Sequence, residues 1–176
     1  MSAGLGHYLA NANVPLHTSI NHDGQLTNQQ GSYGFWESQL PEDFGDRYKF
    51  NVPPAIYIDK ITSATWQIIK HSHSLADSLL TIERNLKDGF PKNKIFTTDS
   101  SGQILTNRFK QPVHSPEYAA AFHDALNGMV QHQMRHAISD IANFWYTAWV
   151  NAVKPDLNSL DDPSLTKSNR KNTNVN

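Results

Sequence analysis

Apolar residues recur every three or four positions over two long stretches, the repeat of a helix with one buried face. In the first, Ile61, Thr65, Ile68, Ser72, Leu75, Leu79, Ile82 and Leu86 mark one stripe. Asp59 is placed to cap this helix, and Gly89 with Pro91 to stop it. The second begins at Ser115-Pro116-Glu117, a capping residue, a first-turn proline and an acid in the preferred order. It predicts one long helix whose seam runs through Tyr118, Phe122, Leu126, Met129, Ile138, Ile141, Trp145 and Trp149. Two shorter helices are expected upstream. Residues 2–13 place Leu5, Leu9 and Ala12 at helical spacing until Pro15 ends the run, and Tyr33 to Leu40 carry Phe35 and Trp36. Thr18 to Ser32, rich in Asn, Gln, Gly and Thr, reads as a solvated loop. "KIFTTDSSGQILTNRF" holds two β-branched runs around Ser101-Gly102, a small exposed hairpin. The pattern as a whole predicts an all-α fold, with one helical domain over 1–154 and a disordered tail over 155–176, where almost nothing is available to bury.

At 176 residues the chain suits a single core. Fifteen Lys plus Arg against sixteen Asp plus Glu leave a net charge of -1. That removes the broad positive field that gathers nucleic acid or anionic lipid, so phosphate recognition would have to be local. With no cysteine, disulfides, thiolate metal sites and a Cys nucleophile are excluded, and nine histidines remain as the borderline metal ligands. The N-terminus as written shows neither a basic leader nor a signal-length apolar run, and no stretch is apolar for long enough to span a membrane. The expectation from these features is a cytoplasmic chain. Its first helix nevertheless starts almost at Met1, as if the chain opened within a larger fold.

Among the candidate chemistry, His7 and Asn11 lie four apart on the first helix and so share a face, their Cβ atoms about 5–6 Å apart. That interval suits two ligands of one metal, although a neutral amide is a poor ligand, and taken alone a plain polar helix face is the commoner reading. Tyr33 and Glu37 repeat the interval on the next helix. His17 follows a proline between them, and His22-Asp23 in the loop are possible substitutes, a solvated loop being the simpler reading. The remaining histidines read more plainly. His132, His136 and Asp140 form a polar stripe, His71 and His73 lie toward an outer face, and His123 is a surface residue. Trp145 and Trp149 read as core rather than as a base-stacking platform.

Taken in order, "GHYLANANVPLHTS", "HDGQ", "GFWES" and, more loosely, "FWYTAWVNA" resemble the zinc-dependent phospholipase C superfamily, which includes the class I single-strand-specific nucleases. The resemblance covers about a quarter of the chain closely. It implies a helical fold around clustered zinc ions that activate water against a phosphodiester, here truncated at the N-terminus and carrying a small hairpin insertion. By position it makes His7, Asn11, His17 and Glu37 the metal set. Asn11 stands where the family has a bridging Asp, Tyr33 where it has a His, and the family's upstream ligands have no counterpart in this chain. The implied function is a phosphodiester hydrolase, nuclease- or phospholipase C-like, impaired as the chain stands, with weak or partial zinc occupancy. The alternative is a degenerate homologue that serves as a structural or binding domain. Family members are usually exported, so a longer form of the chain would be extracellular or periplasmic, and a missing N-terminal half would be a natural partner.

Overall fold

In a computed structural model, which describes residues 2–107 and 110–158, the two apolar repeats become helices that enclose a single core. Helix α1 spans Ser2–Ala12 and leads into a 3-10 turn over Pro15–Thr18. Helix α2 is continuous from Ser32 to Phe44, α-helical over Ser32–Gly34, wound as a π turn over Phe35–Gln39, and α-helical again over Leu40–Phe44. Helices α3 (Ile61–Gly89), α4 (Pro116–Ala125) and α5 (Met129–Asn151) complete the frame. The all-α expectation therefore holds. Among the described residues no helix is long and apolar enough to cross a membrane.

The core is built from Leu16 of the 3-10 turn, Phe35, Trp36 and Leu40 of α2, Leu79 and Leu80 of α3, and Tyr118 and Phe122 of α4. Helix α1 lies against α5, where Gly6 lets the Trp145 ring and the Ile141 side chain approach within 3.3 and 3.8 Å of a would-be Cβ. A Cβ at position 6 would press on the Trp145 ring, which would have to shift by a few tenths of an ångström.

Several sequence expectations need correction. The helix predicted from Ser115 to Trp149 breaks after Ala125, because Asn127 (φ 49) and Gly128 (φ 81) turn left-handed. The break resets the phase of the seam. Phe144 and Thr147 are buried, whereas Ile138 and Trp145 are exposed. Ser115 does cap α4, its hydroxyl accepting from the Tyr118 amide at 3.1 Å. Asp59 does not cap α3, which starts from Lys60 without a side-chain cap. Helix α2 runs past Leu40 through Pro41. Proline has no N–H to return to the Glu37 carbonyl, and just ahead of it the helix widens, the Leu40 amide bonding the Phe35 carbonyl five residues back.

The hairpin is present as three isolated antiparallel bridges, Phe96 with His114, Thr98 with Ile104 and Thr106 with Pro112, rather than as regular strands. The loop before α2 is ordered by its amides. Buried Gln29 donates to the Leu80 carbonyl and to Glu83, itself a buried carboxylate that also accepts from the Tyr118 hydroxyl at 2.8 Å. Of the tail expected to be disordered, the Pro155 carbonyl accepts from the Trp149 indole at 2.9 Å, and 159–176 lie outside the described residues.

Candidate metal site

The site is assembled from the end of α1, the 3-10 turn and the π turn of α2. On α1 the Asn11 amide nitrogen lies 3.2 Å from His7 Nε2, one helical turn away. After Ala12 the chain tightens, with the Val14 amide on the Asn11 carbonyl and the His17 amide on the Val14 carbonyl. Pro15 suits the first position of this turn, having no N–H to satisfy. The turn brings His17 back over α1, where its Nδ1 lies 3.2 Å from the Asn11 carbonyl oxygen. A carbonyl only accepts, so Nδ1 carries the proton and the neutral ring keeps its lone pair on Nε2.

That nitrogen faces α2. It lies 3.1 Å from the Tyr33 hydroxyl and 3.6 Å from Glu37 Oε2, and the His17 and Tyr33 rings are 5.3 Å apart. Burial first, then the Glu37 carboxylate beside it, hold the Tyr33 phenol up at about 12. The phenol is thus a neutral donor to Nε2 at physiological pH. Glu37 Oε2 is buried without a hydrogen-bond partner among the described residues. Unpartnered carboxylate oxygens in protein interiors carry a desolvation cost that a cation relieves. The side chains of His17 and Glu37 are 28% and 31% exposed, so the site opens to solvent.

The four sequence-predicted residues fall into two contacts, His7 with the Asn11 side chain and His17 with Glu37, joined through the Asn11 backbone carbonyl that holds His17. The two loop candidates stand apart. Asp23 accepts from the Tyr33 amide at 3.3 Å and so helps to start α2, while exposed His22 neighbours Gln25. The Nδ1–H to carbonyl bond of His17 is the outer-shell contact typical of a metal-binding imidazole. The donor set is nevertheless short. Among the described residues no group of three or more His, Cys, Asp or Glu side chains is arranged to hold a metal ion, and the Tyr33 phenol occupies the lone pair that a metal would use. The residues present do not make a complete zinc centre of three protein ligands and one open position.

Other polar residues prove more structural, or more interesting, than their spacing suggested. His73 donates through Nδ1 to the Thr18 carbonyl at 3.1 Å, fastening the 3-10 turn to α3. His123 is partly covered rather than superficial, stacked on Phe44 at 4.3 Å and near Tyr48. Asp140 leaves the expected solvated stripe to accept from Asn13 at 3.1 Å. His114 is buried against Phe35 at 3.7 Å, and sequence reasoning passed it over. These partners are between 55 and 127 residues apart in the cases of His73 and Asp140, a separation that leaves no local spacing to read. Comparison with protein-family models, with curated proteins and with solved structures finds no match for this chain.

Proposed function

We propose that the chain is a relative of the zinc-dependent phosphoester hydrolases whose metal site is depleted, so that zinc binds weakly and phosphodiester hydrolysis is impaired. One observation carries the reading: His17 is held by the Asn11 carbonyl so that Nε2 faces Glu37 Oε2, an oxygen with no hydrogen-bond partner among the described residues, across 3.6 Å. Two of the three ligands of a zinc site are in reach of each other, and the position of the third is taken by Tyr33. Zinc bound there would lower the pKa of a coordinated water and polarise a phosphoryl oxygen. What the chain itself supplies is a fixed imidazole tautomer, a carboxylate and a solvent opening.

The Tyr33 to His17 hydrogen bond also favours a second reading, a non-catalytic scaffold whose site is closed on itself. The two are separated by repair. Asn11→Asp with Tyr33→His returns a carboxylate and an imidazole, giving the His17 site a third protein ligand. Zinc titration of the double variant beside the parent is expected to show affinity raised by roughly tenfold or more, of the order seen when single ligands or their supporting groups change. Hydrolysis of a generic phosphodiester, bis(p-nitrophenyl) phosphate, is expected to rise less, because one metal does not clamp both the attacking and the leaving oxygen. Unchanged zinc affinity would overturn the metal reading and leave the scaffold.

A further inference from the structure

A second polar cluster lies in a cleft of about 490 Å³ between α3, α5 and the extended chain that precedes α3. None of His7, Asn11, His17 and Glu37 lines it. The extended chain is fastened across α5, the Ile56 amide donating to Asn143 and the Ile58 amide to Thr147, both at 2.8 Å. Ile56, Ile58, Ile68 and Phe144 supply apolar wall. Asp140 contributes a carboxylate, with His136 one helical turn before it and His71 arriving from α3. The two imidazole rings are 5.2 Å apart.

The cleft holds one carboxylate, flanked by the two imidazoles and by no permanent cation. No Lys or Arg lines it, and among the described residues no cation pairs with Asp140. Arg135 instead lines a smaller neighbouring cleft. The one hydrogen-bond donor to Asp140 among the described residues is Asn13, at 3.1 Å. On the imidazole side, Gln133 donates its amide to the Asn13 carbonyl at 2.8 Å, which fixes its oxygen as the partner of His71 Nε2 at 3.3 Å. An amide oxygen only accepts, so His71 carries its proton on Nε2 and offers Nδ1 as an acceptor.

We propose that this cleft binds a small organic monocation, a primary ammonium or amidinium on an apolar body of about benzyl size, with Asp140 as the countercharge. The volume falls in the range of small-molecule sites, apolar walls with a few polar groups that fix orientation. An ammonium group supplies the donors that a carboxylate and a neutral imidazole accept. Burial pushes the Asp140 carboxyl upward, with Asn13 and the two imidazoles acting against it, as fits a carboxylate whose partner is a ligand. A metal ion is the poorer occupant, since these side chains are not arranged to hold one.

The test uses the full chain and a matched pair of probes, benzylamine and benzyl alcohol, titrated at pH 7.5 and followed by amide chemical shifts. Benzylamine is expected to shift residues of α3 and α5 around the cleft and to saturate, with benzyl alcohol roughly tenfold weaker, the loss of one charge-assisted interaction. Asp140→Asn, nearly the same shape, is expected to bring the two probes level. Asn11→Asp with Tyr33→His is expected to leave benzylamine binding as it was, so the outcome is independent of the zinc reading. Equal binding of the two probes by the parent chain, or no saturable binding by either, overturns the proposal without reliance on any variant. A preference for the amine that survives in Asp140→Asn removes Asp140 from it.

Discussion

His114 shows how one buried side chain ties the fold to pH. Its ring is stacked on Phe35 with Phe96 tilted beside it, and its backbone is clamped by Gln39, whose side chain accepts from the His114 amide and donates to its carbonyl. Burial, then the positive charge of Lys87, hold its pKa down at about 3. An unfolded histidine titrates near about 6.5. Above that value both states are neutral and the group is indifferent to folding. As pH falls below it, the unfolded chain takes a proton that the folded chain refuses until about 3, so stability is lost across this window. His114→Phe keeps an aromatic ring in the stack and removes the titrating group, whose Nδ1 has no hydrogen-bond partner among the described residues. Urea midpoints measured at pH 7 and pH 4 are expected to fall less in the variant than in the parent. An equal fall in both would show that His114 takes up its proton in the ordinary range.

At the scale of elements, the sequence was most legible where the code is local. The apolar repeat of α3, the Ser115-Pro116-Glu117 start of α4 and the Pro15 stop of α1 all have their cause within a turn of the residues concerned. The end of α2 and the break between α4 and α5 were not read, for a shared reason. Each places a residue that usually disrupts helices inside an apolar repeat, and its consequence depends on the fold around it: Pro41 is absorbed after a widened turn, while Asn127-Gly128 ends the helix. The candidate site follows the same division. The His7–Asn11 and Tyr33–Glu37 pairs were legible as spacing within single turns and the set of His7, Asn11, His17 and Glu37 followed from the family resemblance, whereas the Tyr33 phenol on His17 belongs to the packing of α2 against the 3-10 turn. The break itself is testable. A Cβ at Gly128 would meet nothing closer than 3.7 Å, so Gly128→Ala isolates the backbone cost of φ 81. It is expected to destabilise by about 1–2 kcal/mol, the left-handed penalty of an L-residue. A stability equal to the parent in urea would mean that the two helices join into one without loss.

Across the whole molecule, the connection that matters most is between the two ends of the described chain. Gln133, buried on α5, donates to the Asn13 carbonyl beyond α1 and, at 3.4 Å, faces Ser72 of α3, while Asp140 takes the Asn13 amide. Gln133→Leu keeps the bulk but leaves the Asn13 carbonyl without this donor, a loss of about 1–3 kcal/mol. Because the bond pins the end of α1, its effect is expected to be uneven: hydrogen exchange should quicken over α1 and the 3-10 turn more than over α4. Uniform quickening would place the latch in the global core instead.

Because α1 is pinned by α5, its packing is settled late in synthesis. His7 and Asn11 leave the ribosome well before the surface that holds their helix, around Ile141 and Trp145, has been synthesised. At about 5–20 residues per second, the first helix waits many seconds for its partner. Through that interval α1, eleven residues long, is too short to be stable alone in water. The packing of α1, and with it the His7–Asn11 pair, is therefore completed late in synthesis, and a ribosome stalled before α5 would display this helix without the surface that holds it.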